Sequence, residues 1–291
     1  MRTTRLAFLL LLPAALTTAE GRIEQRQSAA PDGIVEIDNP AGSIRVIGWA
    51  KNEIQVTGVL GQGASGVDLS VHGRKAVVSV DTMNPHGIKS DLEIRVPAGS
   101  RVQIDSFAAE VSVEGVNGEV RAETVNGSIR LSGGFQAAEV SSVNGSIEVS
   151  GNTKRLQAES VNGAVTVKGA GGEIAASSVN GLLSVAGSAF DRASLETVSG
   201  GLRFEGDLRP EASLDASSVS GATEFVFPAT VSADFVITTF SGEIVNELGG
   251  PTPTRSSKWT SEKELEFTAG KGGASVTIET LSGTIRLRKR P

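Results

Sequence analysis

"ESVNGAVTVKG", residues 159–169, decides the fold. Taken alone it reads as a β-hairpin, two alternating apolar runs joined at Asn162-Gly163. Eighteen residues earlier the chain writes "SSVNGSIEVSG" (141–151), and eighteen later "SSVNGLLSVAG" (177–187). A meander of hairpins has no need of the same residue at a fixed interval. A stack of rungs does, because equivalent positions then lie directly above one another.

The glycine of each unit marks the repeat: Gly127, Gly145, Gly163, Gly181, Gly200, Gly221, Gly242 and Gly283, at spacings of 18, 18, 18, 19, 21, 21 and 41. The last interval has room for two rungs, one of them degenerate. Gly118, in "EGVNGEV", adds a half-step of 9. The spacing predicts an all-β protein, a parallel β-solenoid with rungs of 18–21 residues. Asn117, Asn126, Asn144, Asn162 and Asn180 then stack as a structural amide ladder, with Ser199, Ser220, Ser241 and Ser282 replacing them later. Asn and Gly suit such a corner because both tolerate positive φ.

Alternation within one rung explains why stacking is required. Leu156, Ala158 and Ser160 alternate with Gln157 and Glu159, and after the turn Val165 and Val167 alternate with Thr166 and Lys168. Each strand has one apolar face, and two strands alone cannot bury it. Val161, Val165 and Val167 are expected to face inward. One exposed column reads Glu123, Ser141, Glu159, Ser177, Glu196, Ser217, Thr238, Glu279, and a second reads Arg130, Glu148, Thr166, Ser184, Arg203, Glu224, Val245, Arg286. Interleaving avoids like charges face to face. Phe190, Phe204, Phe225, Phe227, Phe235 and Phe240 enter where the rungs lengthen, which predicts core filling in a widening cross-section, with an aromatic ligand shelf as the alternative.

Composition agrees with an all-β fold. The 291 residues hold 35 glycines, no tyrosine, no cysteine and two histidines, with 39 % hydrophobic and 21 % charged residues. A net charge of −6 and the lack of a basic groove give no reason to expect nucleic acid. Arg2 and Arg5, the apolar stretch Leu6–Leu16 and "TTAE" read as a signal peptide over 1–19, cleaved after Ala19, with an uncleaved anchor as the alternative. No second apolar stretch follows, so the mature chain is expected to carry no transmembrane span. Residues 20–105 read as a β-rich N-terminal cap continuous with the solenoid, and 106–291 as the solenoid repeats. "GGPTPTRSSKW" (249–259) is the clearest break in the array, and the basic end "RLRKRP" is expected to shield the last rung's open edge.

"DNPAGSIRVIGWAKNEIQVTG" (38–58), "VPAGSRVQID" (96–105) and the reiterated "VNGSI" and "VSG" units resemble the bacterial "putative adhesin" family, a domain-of-unknown-function group of β-solenoid envelope proteins. The resemblance covers residues 30–291. It implies a right-handed-type solenoid and an envelope setting, with no established ligand and no catalytic residues to carry over.

Enzyme motifs are missing from the sequence: there is no G-x-S-x-G, P-loop or H-E-x-x-H. The half-step of 9 suggests calcium-binding β-rolls, but the turns lack their repeated aspartate. Asp81, His86 and Asp91 form the one loose cluster able to bind metal or move a proton, and a solvated loop explains them as well. The sequence therefore reads as a non-enzymatic envelope or secreted scaffold or adhesin-like surface without catalytic, metal or cofactor residues. Its partner is unnamed; an envelope polysaccharide or a surface protein fits the setting. The alternatives are a carbohydrate-active β-helix enzyme, and an accessory of an envelope signalling or stress system.

Overall fold

In the computed structural model, described for residues 21–61, 63–82, 89–255 and 261–290, strands pair in parallel at the repeat interval. Leu156 lies beside Ala138 on one side and Ile174 on the other, and Val165 lies between Ile147 and Leu183. Every rung supplies one strand to each of two parallel arrays. The apolar side chains between them form a continuous core, with Val165, Val167, Leu183 and Val185 fully buried. The signal-peptide reading of 1–19, His86 and the end of the basic tail at Pro291 lie outside the described residues.

Spatial order departs from chain order at both ends. From the N-terminal end the rungs run 75–97, 34–49, 101–114, 119–132, 135–150, 153–168, 173–187, 192–206, 213–227, 274–289 and 233–246. The 34–49 rung is inserted between two later ones. The C-terminal strand Ala274–Lys289 slides between Leu202–Ser220 and Thr223–Phe227 on one side and Ala233–Asn246 on the other. Its last residues therefore guard no edge, contrary to the reading of "RLRKRP". They pair inside the stack, where Leu287 is fully buried.

Antiparallel strands close the ends. Ala64–His72 and Glu53–Leu60 cover the 75–97 rung, and Arg22–Ser28 pairs with Glu53–Leu60. Gln25 and Gln27 on that outer strand donate to the carbonyls of Val67 (2.8 Å) and Leu69 (2.7 Å), occupying an edge that would otherwise invite pairing. At the other end Lys263–Ala269 covers the 233–239 half of Ala233–Asn246, and Thr254–Arg255 covers Lys263–Ala269. The interval of 41 thus holds a closing hairpin rather than a degenerate rung. Residues 20–105 supply rungs as well as closing strands.

The phenylalanines fill the core where rungs lengthen. Phe190 packs on Phe204 (5.3 Å between ring centres), Phe204 on Phe227 (5.7 Å), Phe227 on Phe235 (5.5 Å), and Phe235 stacks flat on Phe267 at 4.7 Å. Phe240 does not join them. It is 56 % exposed, because it occupies the corner position held by valine in other rungs.

Candidate functional site

The Val-Asn-Gly corner is built by close approach rather than by turn conformation. Among the described residues only Ala189 and Glu211 have positive φ without being glycine, so no corner asparagine uses that region. Gly127, Gly145, Gly163, Gly181 and Gly200 do not use it either. Their hydrogens are needed for a different reason. A Cβ at Gly145 would overlap the carbonyl oxygen of Gly127, one at Gly163 that of Gly145, and one at Gly181 that of Gly163. The rungs meet backbone on backbone here. Inward hydroxyls tie the contact: Ser142, Ser160 and Ser178 donate to the carbonyls of Gly127, Gly145 and Gly163 at 2.9–3.0 Å. Where spacing lengthens, the hydroxyls of Thr197 and Ser218 are buried without a partner.

Beside the glycines runs the amide ladder. Asn144 donates to Asn126 Oδ1, Asn162 to Asn144 and Asn180 to Asn162, at 2.8–2.9 Å. Asn117 and Gly118 are placed elsewhere, on the connection between Ala108–Glu114 and Glu119–Thr124 at the opposite corner. There the backbone N–H of Asn117 donates to the Ala98 carbonyl, and the missing Cβ of Gly118 leaves room for the Ser100 carbonyl. The half-step of 9 is thus the distance between the two corners of one rung.

The residue before each asparagine points outward. Val161, expected inside, is 41 % exposed, since the chain bends between the inward Ser160 and Val165. The same holds along the corner from the 101–114 rung onward: Phe107, Val143, Val179, Val198, Val219, Leu281 and Phe240 are 38–62 % exposed, and Val125 is half-buried. An apolar ridge therefore follows the stack from the 101–114 rung to the 233–246 rung. Sequence alternation missed it because the bend adds a residue that follows neither strand's face; recurrence of valine beside an exposed asparagine was the available signal.

On the flat faces, charge is spread in pairs between rungs. Arg101 pairs with Glu119 (2.7 Å), Arg121 with Glu139 (3.2 Å), Arg130 with Glu148 (3.2 Å), Arg155 with Glu173 (3.2 Å) and Arg203 with Glu224 (2.7 Å). Hydrogen bonds from Lys168 and Arg130 hold the Glu148 carboxyl below its ordinary range. A shallow depression of about 310 Å³ lies over Ala137, rimmed by Arg101, Glu119, Arg121, Glu139 and Arg155. Interleaving fails where Asp38, Asp105 and Glu123 stand in direct register across three rungs. Partial burial, then Glu123 and Asp38, push the Asp105 carboxyl up. Asp91 accepts from Ser43 at 2.6 Å, and Asp81 lies on Lys75–Thr82. No group of three or more metal-ligating side chains gathers among the described residues. No described helix is long and apolar enough to cross a membrane.

The family model described as Toastrack DUF4097 matches residues 35–288, nearly the whole stack. The chain belongs to the Toastrack DUF4097 family. Among curated proteins nothing matches. Similar solved structures include a "putative adhesin" of Parabacteroides distasonis at 10 % identity and TM-score 0.46, covering 92 % of this chain and 98 % of that one. Another, from Bacteroides fragilis, has 11 % identity and TM-score 0.42 over 92 % and 98 %. A third, from Parabacteroides merdae, has 8 % identity and TM-score 0.42 over 93 % and 97 %.

Proposed function

We propose that this Toastrack protein is exported and serves, without catalysing a reaction, as an elongated scaffold or binding surface in the periplasm, the cell envelope or the medium. The export half of the reading rests on Arg2, Arg5 and the apolar stretch Leu6–Leu16. The observation that carries the binding half is the dispersal of charge. Both faces repeat the same modest ion pairs rung after rung, and a ligand read over several rungs would be extended, such as an envelope polysaccharide or a surface protein. A glycosidase needs two carboxyls converging on one bond, with one held protonated. Asp105 is the raised carboxyl, and its acidic neighbours lie in line with it along the stack rather than across a cleft.

The test exposes the wild-type protein and the Glu159→Gln, Glu196→Gln and Asp81→Asn variants to a panel of envelope polysaccharides, measuring retention and new reducing or unsaturated ends. Retention should fall only a few-fold in each variant, since neutralising one solvated charge changes binding by less than about 1 kcal/mol. Time-dependent cleavage by the wild type, abolished in one variant, would make the protein an enzyme and overturn the proposal.

A further inference from the structure

The apolar ridge is uncharged along its length. Its row is Phe107, Val125, Val143, Val161, Val179, Val198, Val219, Leu281 and Phe240 in spatial order, flanked by the asparagine and serine row. With neighbouring rungs about 4.8 Å apart, the row is roughly 38 Å long. Its nine side chains run from half-buried to 62 % exposed and form one continuous apolar strip. Exposed apolar area of this extent marks an interaction surface.

Pitch and charge name the occupant. A row with one side chain per rung is matched position by position only by another row of the same pitch, which a second copy supplies. Two-fold pairing can place the copies parallel or antiparallel. Antiparallel pairing brings the acidic border of one ridge (Glu123, Glu159, Glu196, Glu279) against the same border of the other. Parallel pairing brings that border against the opposite one, which carries Arg130, Arg203 and Arg286.

Each of these arginines shares a rung with a border glutamate: Glu123 with Arg130, Glu196 with Arg203, Glu279 with Arg286. Where the second border carries glutamate instead, at Glu148 and Glu224, the first carries Ser141 and Ser217. At these two border positions no described rung sets glutamate against glutamate, while Asp105 and Glu110 flank the ridge as an acidic pair at Phe107. Glu279 and Arg286 also take no part in any ion pair among the described residues, although both are exposed. Within one chain these two residues lie in different arrays of the stack, one on each side of the corner.

We infer that two copies associate side by side and in parallel through this ridge, each side chain meeting its own equivalent, with Glu279 of each copy reaching Arg286 of the other. The inference goes beyond the proposed function and holds or fails whatever the protein binds.

The chain lacks cysteine, so single substitutions report contacts cleanly. Sedimentation of the purified full-length protein at about 100 µM, a concentration that populates even micromolar complexes, should give twice the chain mass. Val125→Cys, Val179→Cys and Val219→Cys should each oxidise to a covalent dimer, because parallel pairing brings every position to itself. Val179→Glu should reduce association at least 100-fold while leaving the melting temperature of the dilute chain unchanged. Glu279→Arg should weaken association several-fold, and adding Arg286→Glu should restore it. A wild type that sediments at single-chain mass overturns the inference. So does covalent dimer from Val179→Cys alone, which signifies antiparallel pairing, and so does the absence of rescue by the double reversal.

Discussion

Glycine at the Val-Asn-Gly corner is fixed by space, and the sequence suggested the wrong reason for it. The Asn-Gly pair pointed to left-handed backbone, whereas Gly163 leaves room for the Gly145 carbonyl, and Gly181 in turn leaves room for that of Gly163. No side chain lies between to yield. Gly163→Ala should therefore push two rungs apart and cost about 3 kcal/mol or more, lowering the melting temperature by roughly 6–12 °C for a domain of this size. Gly73 supplies the contrast: its φ is +63°, but a Cβ there meets nothing within 4 Å. Gly73→Ala should cost only about 1 kcal/mol. Thermal melts of the two variants decide the matter, and equal losses would show that close approach is not what the corner glycines provide.

At the scale of the rung, the alternation in "RLQAESVNGAVTVKG" made both strand faces legible, from Leu156 and Ala158 to Val165 and Val167. It did not reach the bend between them, where Val161 turns outward and Phe240 follows the same path. The repeat also hid a fault in the exposed column. Read from Glu123 onward the column alternates, but Asp38 and Asp105 precede it in space and share its register, which only pairing between 34–49 and 101–114 reveals. Asp105 has its carboxyl pushed up by partial burial and by Glu123 and Asp38. A carboxyl raised on folding contributes stability that is present at acid pH and is lost as pH rises through its folded pKa. Asp105→Asn should thus raise the melting temperature at pH 7, with the gain shrinking as pH falls toward the carboxylate range. Melting curves of both proteins from pH 4 to 7 test this; a gain that grows on acidification contradicts it.

For the whole molecule, the period established a parallel stack but not the order of its rungs. An 18–21-residue repeat says that each rung lies beside an equivalent, and the chain itself suggests that neighbours in sequence are neighbours in space. That holds from 101–114 to 213–227 and fails at both ends, where the 34–49 and 274–289 rungs are inserted between others. Closing the stack explains the arrangement physically. Each terminal rung continues directly into antiparallel strands that fold over it, covering both strands of the N-terminal rung and the 233–239 half of the C-terminal one with adjoining chain. The exposed column places the consequence at Ser217, Glu279 and Thr238, with Glu279 in the middle. In the cysteine-free chain, the pair Ser217→Cys/Glu279→Cys spans adjacent strands, within the 4.4–6.8 Å Cα separation of a disulfide. Ser217→Cys/Thr238→Cys spans two strand intervals, about 9.6 Å. Mild oxidation, read by mass mapping of the cross-linked peptides, should join 217 to 279 within one chain and leave 217 and 238 free. A disulfide between 217 and 238, with none between 217 and 279, would mean that the rungs stack in sequence order and would contradict the fold described.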